Sequence, residues 1–146
     1  MSRFRGNARE RAVLNAFVKL MRGSGAVAES THRHLAGEDL TVSQFGVLEA
    51  LFHIGPMCQK DLAEKILKSP GNMTTVLRNL EKRGLVYRKR SVEDRRYSAV
   101  HLTKEGESLI AEVFPRHLNG LVRSLDHFSD TDLADLTRLC RKLKSD

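Results

Sequence analysis

Nowhere in this chain does an apolar run approach the eighteen or so residues that a membrane span needs. The opening residues, MSRFRGNARERAVLNAF, carry charge throughout and lack both an apolar h-region and a small-residue cleavage site. No secretory leader is therefore predicted, and the chain is expected in the cytoplasm. Cysteine is scarce: Cys58 and Cys140 stand alone and are expected there as reduced thiols, not as a structural bridge. Only three prolines, no low-complexity tract and no internal repeat argue against a flexible multidomain build. Catalytic signatures are missing too. There is no nucleophile elbow, phosphate loop, pair of carboxylates or HExxH, so an enzyme is not expected and no cofactor is called for. Glu29, His32 and His34, with His117 farther along, stand at spacings that match no zinc signature. His32 and His34, near the end of the first helix, read as surface histidines, and no metal is expected.

What is present describes a soluble globular protein. The 146 residues suit a single domain with a real core, at 40% apolar and 29% charged. Acidic residues are outnumbered: Lys and Arg total 25 against 18 Asp and Glu, leaving a net charge of +7. The isoelectric point near 9.8 points to a polyanionic partner, nucleic acid first and an acidic membrane surface second. A membrane-surface protein would place its basic residues on an amphipathic helix with bulky apolar residues opposite. Here the basic excess falls on a helix and a hairpin, so no membrane partner is expected.

That helix and hairpin lie between Ser69 and Thr103. Ser69 suits an N-cap and Pro70 the first helical position. Met73, Val76, Leu77 and Leu80 then recur at i, i+3, i+4 and i+7, one apolar stripe of an α-helix. The other face carries Gly71, Asn72, Thr75, Arg78, Asn79 and Lys82, all small, hydrogen-bonding or cationic. Gly84 ends the helix as a left-handed cap. LVYRKR reads as a strand, SVEDR as a turn and YSAVHLT as the return strand. From Arg78 to Arg96 there are eight Lys or Arg and three Asp or Glu, so this segment, with Arg88 and Arg95, carries most of the chain's net charge. A polar, cationic helix face beside a basic hairpin suits a major groove and its flank. A merely solvated helix and hairpin is the alternative.

The remaining elements follow in order. Residues 8–35 read as one long helix with Val13, Phe17, Leu20, Met21, Val27 and Ala28 at helical spacing, weakened by Gly23 and Gly25. Thr41-Val42-Ser43-Gln44 forms a capping box for a second helix. Its apolar face is Phe45, Leu48, Leu51 and Phe52, and Gly55-Pro56 ends it. Cys58 takes the N-cap position of a third helix, QKDLAEKILK, with Leu62, Ala63, Ile66 and Leu67 inward. Short helix, tight turn and polar-faced helix make a helix-turn-helix, and the hairpin makes it a winged helix. Thr103 caps a helix with Leu109, Val113, Leu118, Leu121 and Leu125 inward, kinked near Ala111 by Pro115. Ser129 caps a last helix with Leu133, Leu136, Leu139, Cys140 and Leu143 on one face.

The predicted fold is thus mostly α with a small β-hairpin wing. A DNA-binding lobe spans about 41–103 of a single 1–146 domain, and helices at about 8–35 and 104–144 form a dimerisation region. The apolar stripes of those end helices must be covered, and a second copy related by a twofold axis is the simplest cover. Such a homodimer presents two basic helices about one DNA turn apart, matching a palindromic operator in double-stranded DNA.

LTVSQFGVLEAL (40–51), QKDLAEKIL (59–67), MTTVLRNLEKRGLV (73–86) and EDRRYSAVHLTKEG (93–106) together resemble the MarR family of bacterial winged-helix regulators. The last stretch is the most specific, with Asp94, Arg96, Leu102, Thr103 and Gly106 at the family's wing positions. The resemblance implies a homodimeric DNA-binding regulator, usually a repressor released by a small molecule or an oxidant. By the family pattern Arg96 enters the minor groove, held by a salt bridge from Asp94; a turn residue and a solvated charge are the alternatives. Asn72, Thr74, Thr75 and Arg78 are the candidates for base and phosphate contact, with Ser69 and Lys82 on phosphate and Arg88 and Arg95 in the basic wing. GPMCQ and SPGNMT resemble the branch that responds to phenolic or quinone-like compounds. Phe17, Met21, His32, Phe45 and Phe52 are candidates for the effector cleft, with plain core as the alternative. A thiolate at Cys58 would be stabilised by a helix N-terminus and act as a redox switch, or the residue merely replaces Ser as a weak cap. Cys140 reads as buried packing. A winged-helix module that binds proteins and not DNA is the reading from another class.

Overall fold

The computed structural model describes residues 4–66 and 70–143. In chain order the elements are α1 (Ala8–Ala36), α2 (Val42–Ile54), β1 (Met57–Cys58), α3 (Gln59–Lys65), α4 (Pro70–Lys82), β2 (Val86–Arg90), β3 (Ser98–Leu102), α5 (Lys104–Ser124) and α6 (Asp130–Arg141). They gather into two compact units, Thr31–Asn119 and Met1–Ser30 with Gly120–Asp146, so α1 and α5 each belong to both.

The Thr31–Asn119 unit holds the core. Leu35, Leu48, Leu62, Met73, Leu77, Leu80, Val100 and Ile110 are fully enclosed, and each such side chain contributes about 1.5–3 kcal/mol by leaving water. Local chemistry sets the element ends. The predicted capping box forms, with the Gln44 amide donating to Thr41 Oγ1 at 3.1 Å and the Thr41 amide donating to Gln44 Oε1 at 3.1 Å. Helix α2 is buried at Phe45, Val47, Leu48, Ala50 and Leu51, on more than the one predicted face, because it runs through the middle of the unit. Helix α3 buries Leu62 and Ala63, and Ile66 packs partly against the core. The inward position expected for Leu67 lies outside the described residues. Helix α4 buries Met73, Leu77 and Leu80 along the predicted stripe. Gly84, at φ 67°, turns the chain out of it: the amides of Gly84 and Leu85 donate to the carbonyls of Glu81 and Leu80, both at 3.0 Å.

Strands β2 and β3 form the predicted hairpin, antiparallel, with Val86 opposite Leu102 and Arg88 opposite Val100. The sequence gives no warning of β1. Its two residues pair with Val100 and Ala99, so the sheet order is β1-β3-β2 and β3 is central. Helix α5 runs through Pro115 as one helix. Its buried stripe is Gly106, Ile110, Val113 and His117. Leu118, expected inside, is 45% exposed, because the stripe advances by four, three and four residues and reaches 117, not 118.

The other unit has a different character. Asn7 and Glu10 open α1 with a reciprocal box, amide to carboxylate at 2.7 Å and amide to Asn7 Oδ1 at 2.9 Å. Ser129 and Asp132 open α6 the same way. Ser30 Oγ and Ser124 Oγ lie 2.9 Å apart. Yet no residue of α6 is buried, and Val13, Leu14, Phe17, Leu20, Met21, Leu136, Leu139 and Leu143 are all exposed. Cys140, expected in packing, is exposed as well. The described residues of one chain leave most of the apolar face of α6 uncovered, with only Leu133 half-buried.

Candidate nucleic-acid interface

Burying Met73, Leu77 and Leu80 fixes the rotation of α4 and turns Asn72, Thr75, Arg78, Asn79 and Lys82 to solvent. Asn72, Thr75 and Asn79 share an open groove with Thr41, Ser43 and Gln44 at the start of α2. A neighbouring hollow takes in Asn79, Lys82 and Arg83. Arg83 is committed to the α1–α2 turn, donating to the Asp39 carbonyl at 2.7 Å. Arg78 and Lys82 make no ion pair or side-chain hydrogen bond among the described residues. Thr74 stands apart from the outer face. It is half-buried, and its hydroxyl accepts from Gln59 Nε2 at 2.7 Å, towards α3. Ser69 lies outside the described residues.

The wing tip is held by its own polar groups. Ser91 Oγ accepts from the amides of Glu93 and Asp94, and the Ser91 amide donates to the Tyr97 carbonyl at 2.9 Å. Asp94 does not form the expected salt bridge with Arg96. Its Oδ1 accepts instead from the Arg96 backbone amide at 3.0 Å, the short-range bond that an Asp in a turn makes most readily. Asp94 thus orders the turn while the side chains of Arg95 and Arg96 project from it, exposed and unpaired among the described residues. Lys89 and Arg90 are likewise exposed and unpaired. Arg88 differs: Nε donates to Glu81 Oε1 at 2.9 Å and Nη1 donates to Gln59 Oε1 at 3.0 Å. On the opposite face of the hairpin Tyr87 stacks on His101, ring centroids 5.2 Å apart.

Cys58 takes the N-cap position of α3 as expected, but its side chain makes no capping hydrogen bond. It is half-buried, and its position is also paired to Ala99 in the sheet. The effector candidates divide. Phe17 and Met21 are exposed on one unit; on the other, His32 and Phe52 are exposed while Phe45 is core. Phe45 packs on the ring of His117 at 4.5 Å. His117 is no surface histidine. It is 6% exposed, its ring lies edge-on to His34 at 6.3 Å, and Nδ1 of each lacks a hydrogen-bond partner among the described residues. Burial holds its pKa below the usual value, Glu49 pulling the other way and His34 adding to the depression. Among the described residues no group of three or more His, Cys, Asp or Glu stands ready for a metal ion, and no helix is long and apolar enough to cross a membrane.

Comparison with known proteins agrees with this geometry. The MarR family profile matches residues 40–97, from the start of α2 through the wing turn. The HTH-type transcriptional regulator MhqR of Bacillus subtilis is 28% identical over 130 residues, 89% of this chain and 90% of that protein. An HTH-type transcriptional regulator of Bacillus cereus is 30% identical over 102 residues, 70% of this chain and 67% of the relative. AbsC, a MarR family transcriptional regulator from Streptomyces coelicolor, shares the fold with a TM-score of 0.84. That match covers 97% of this chain and 95% of AbsC at 21% identity. With six helices, a three-stranded sheet and the polar-faced α4 among its described residues, the chain belongs to the MarR family of winged-helix transcriptional regulators.

Proposed function

We propose that this regulator is a homodimeric repressor that binds palindromic operators in double-stranded DNA through α4 and the wing and is released by a small aromatic or phenolic ligand. The carrying observation is the cation inventory of one surface. Arg78, Lys82, Lys89, Arg90, Arg95 and Arg96 are exposed and unpaired among the described residues, beside the hydrogen-bonding side chains of Asn72, Thr75 and Asn79. Unpaired cations next to neutral donors and acceptors suit phosphate neutralisation around a base-reading face. A guanine edge met by Arg78 in a bidentate pair would add about 1–3 kcal/mol of discrimination. In this reading Arg96 reaches the minor groove with Arg95 beside it in the basic wing, and Ser69 and Lys82 take phosphate. The same surface speaks against a module that binds only proteins. The homodimer is supported by the exposed apolar faces of α1 and α6.

Release rests on the family resemblance, with Phe17, Met21, His32 and Phe52 as candidates at the surface and Phe45 contributing from the core. A ligand acts by favouring a dimer whose α4 helices no longer match the operator spacing. The thiol-responsive alternative at Cys58 has less behind it, since that side chain makes no capping hydrogen bond to α3.

The test is fluorescence anisotropy against the intergenic DNA beside its own gene, with a random duplex alongside, at two salt concentrations. Tight, selective binding is expected, with a log–log salt slope of about −0.9 for each phosphate neutralised. Arg78→Ala and Arg96→Ala should each weaken it. Equal, weak affinity for both duplexes would sink the operator reading.

A further inference from the structure

Arg88 sits on β2 opposite Val100 of β3. Side chains alternate along a strand, so Arg88 shares a face with Val86, and Val86 and Val100 are both buried. Its guanidinium is therefore aimed at the helices that cover the sheet. There it donates to Glu81, in the last turn of α4, and to Gln59, the first residue of α3. Gln59 passes the connection on, its Nε2 donating to Thr74 in the first half of α4. Thr74 and Glu81 are seven residues apart, two helical turns along one flank. Four side chains thus join wing, α3 and both halves of α4.

The position of β2 explains why a tie is needed. Strand β3 is held between two neighbours, whereas β2 is an edge strand, paired on one side only. At its base it is fixed by the Gly84 turn. Farther out, its attitude to α4 is set by what its side chains grip. Arg88 grips with a charge-assisted pair at one nitrogen and a neutral acceptor at another, directions that a planar guanidinium fixes and an ammonium would not. Glu81, meanwhile, is an acid on the helix proposed to approach a polyanion.

We propose that Arg88 is a positioning residue for DNA recognition: with Gln59, Thr74 and Glu81 it locks the wing at one angle to α4, so that both reach their grooves together. The inference builds on the DNA reading above and reassigns Arg88 from DNA-contact candidate in the wing to internal strut. A guanidinium that reached for phosphate would have to leave Glu81 unpaired beside the DNA.

The experiment uses full-length protein and a duplex that it enriches from a random-sequence pool, with an unselected duplex as control. Wild type, Arg88→Ala, Glu81→Gln, Gln59→Leu and the exchange Glu81→Arg/Arg88→Glu are compared by anisotropy over a salt series and by hydroxyl-radical footprinting. Thermal melts check the fold, and little change is expected because the pair is part-exposed. Glu81→Gln is the discriminating variant. On charge alone, removing an acid near DNA tightens binding; as part of a strut, its loss weakens binding to the selected duplex. The expected result is about a tenfold loss for Arg88→Ala and a smaller loss for Glu81→Gln and Gln59→Leu, all with an unchanged salt slope. Minor-groove protection by the wing should fade while major-groove protection by α4 persists. The exchange variant should recover most of the affinity, since the Gln59 amide can reverse against the Thr74 hydroxyl, which both donates and accepts. Glu81→Gln binding as tightly as wild type or tighter, with a slope shallower by about 0.9 for Arg88→Ala, would make Arg88 a phosphate contact and overturn the proposal. An exchange variant no better than Arg88→Ala would overturn it too. Wild type that enriches no duplex would bring down the DNA reading itself and the strut with it.

Discussion

At position 117 the stripe of α5 needs an apolar residue, and the chain supplies a histidine. Enclosed against Phe45 and beside His34, its imidazole is kept neutral by burial, and its pKa is lowered from the usual 6.5 although Glu49 opposes the shift. The sign of the linkage follows. In the unfolded chain the residue titrates at its ordinary value and so takes up protons, as pH falls, before the folded chain does. Unfolding is then coupled to proton uptake, and the contribution of His117 to stability is complete above pH 6.5 and lost on acidification below it. Urea midpoints should fall as pH drops through that window, and His117→Leu should flatten the dependence there. An identical pH profile for the variant would show that His117 does not carry the effect. The burial of His117 is not evident from its residue type, because histidine is compatible with either side of a helix. The phase of α5 settles it: Ile110 and Val113 lead to 117 by helical spacing, a signal masked by the leucine at 118.

At the scale of elements, the junction between wing and α5 turns on one hydroxyl. Thr103 Oγ1 donates to the Gly84 carbonyl at 2.6 Å and accepts from the Gly106 amide at 3.0 Å, while its own amide donates to the Leu85 carbonyl at 3.1 Å. It therefore opens α5 and ties that start to the turn that closes α4. Gly106 completes the junction: a Cβ there would run into the Leu85 carbonyl and crowd Leu102. Thr103→Ala should cost about 1–2 kcal/mol in urea unfolding, with Thr103→Ser recovering most of it. A loss no larger than that of an ordinary surface substitution would mean that water replaces both bonds. Caps of this kind, with the boxes at Thr41 and Ser129, the α4 stripe and the Gly84 turn, were readable because each is written within a few neighbouring residues. Strand β1 was not. Two residues carry no period, and they become a strand only because β3 comes alongside. The ties of Arg88 were partly legible, since VYRKR alternates and puts Arg88 with Val86. Their partners at Gln59 and Glu81 come from distant segments and needed the fold.

The whole molecule raises the question of what covers the unit built from its two ends. A monomeric protein seldom leaves a large continuous apolar patch in water. Here α1 exposes Val13, Phe17, Leu20 and Met21, and α6 exposes Leu136, Leu139 and Leu143. Both helices open on a capping box, at Asn7 and at Ser129, and propensity alone seldom holds such a surface segment. In the proposed homodimer a second copy would supply that burial, and twofold symmetry would repeat α4 as a palindrome repeats its half-sites. Sedimentation of the wild type should therefore give a dimer. Replacing Leu136 and Leu139 together with Asp should give a monomer, because a charge on a surface that must dehydrate opposes association. Since neither leucine is buried within its own chain, the Thr31–Asn119 unit should keep its melting transition in that variant. Operator affinity should fall by more than tenfold, because each half-site is then bound without its neighbour. A double variant that stays dimeric would place the interface elsewhere. One that becomes monomeric yet holds the operator as tightly as wild type would show that a single α4 and wing suffice, and would remove the reason for a palindrome.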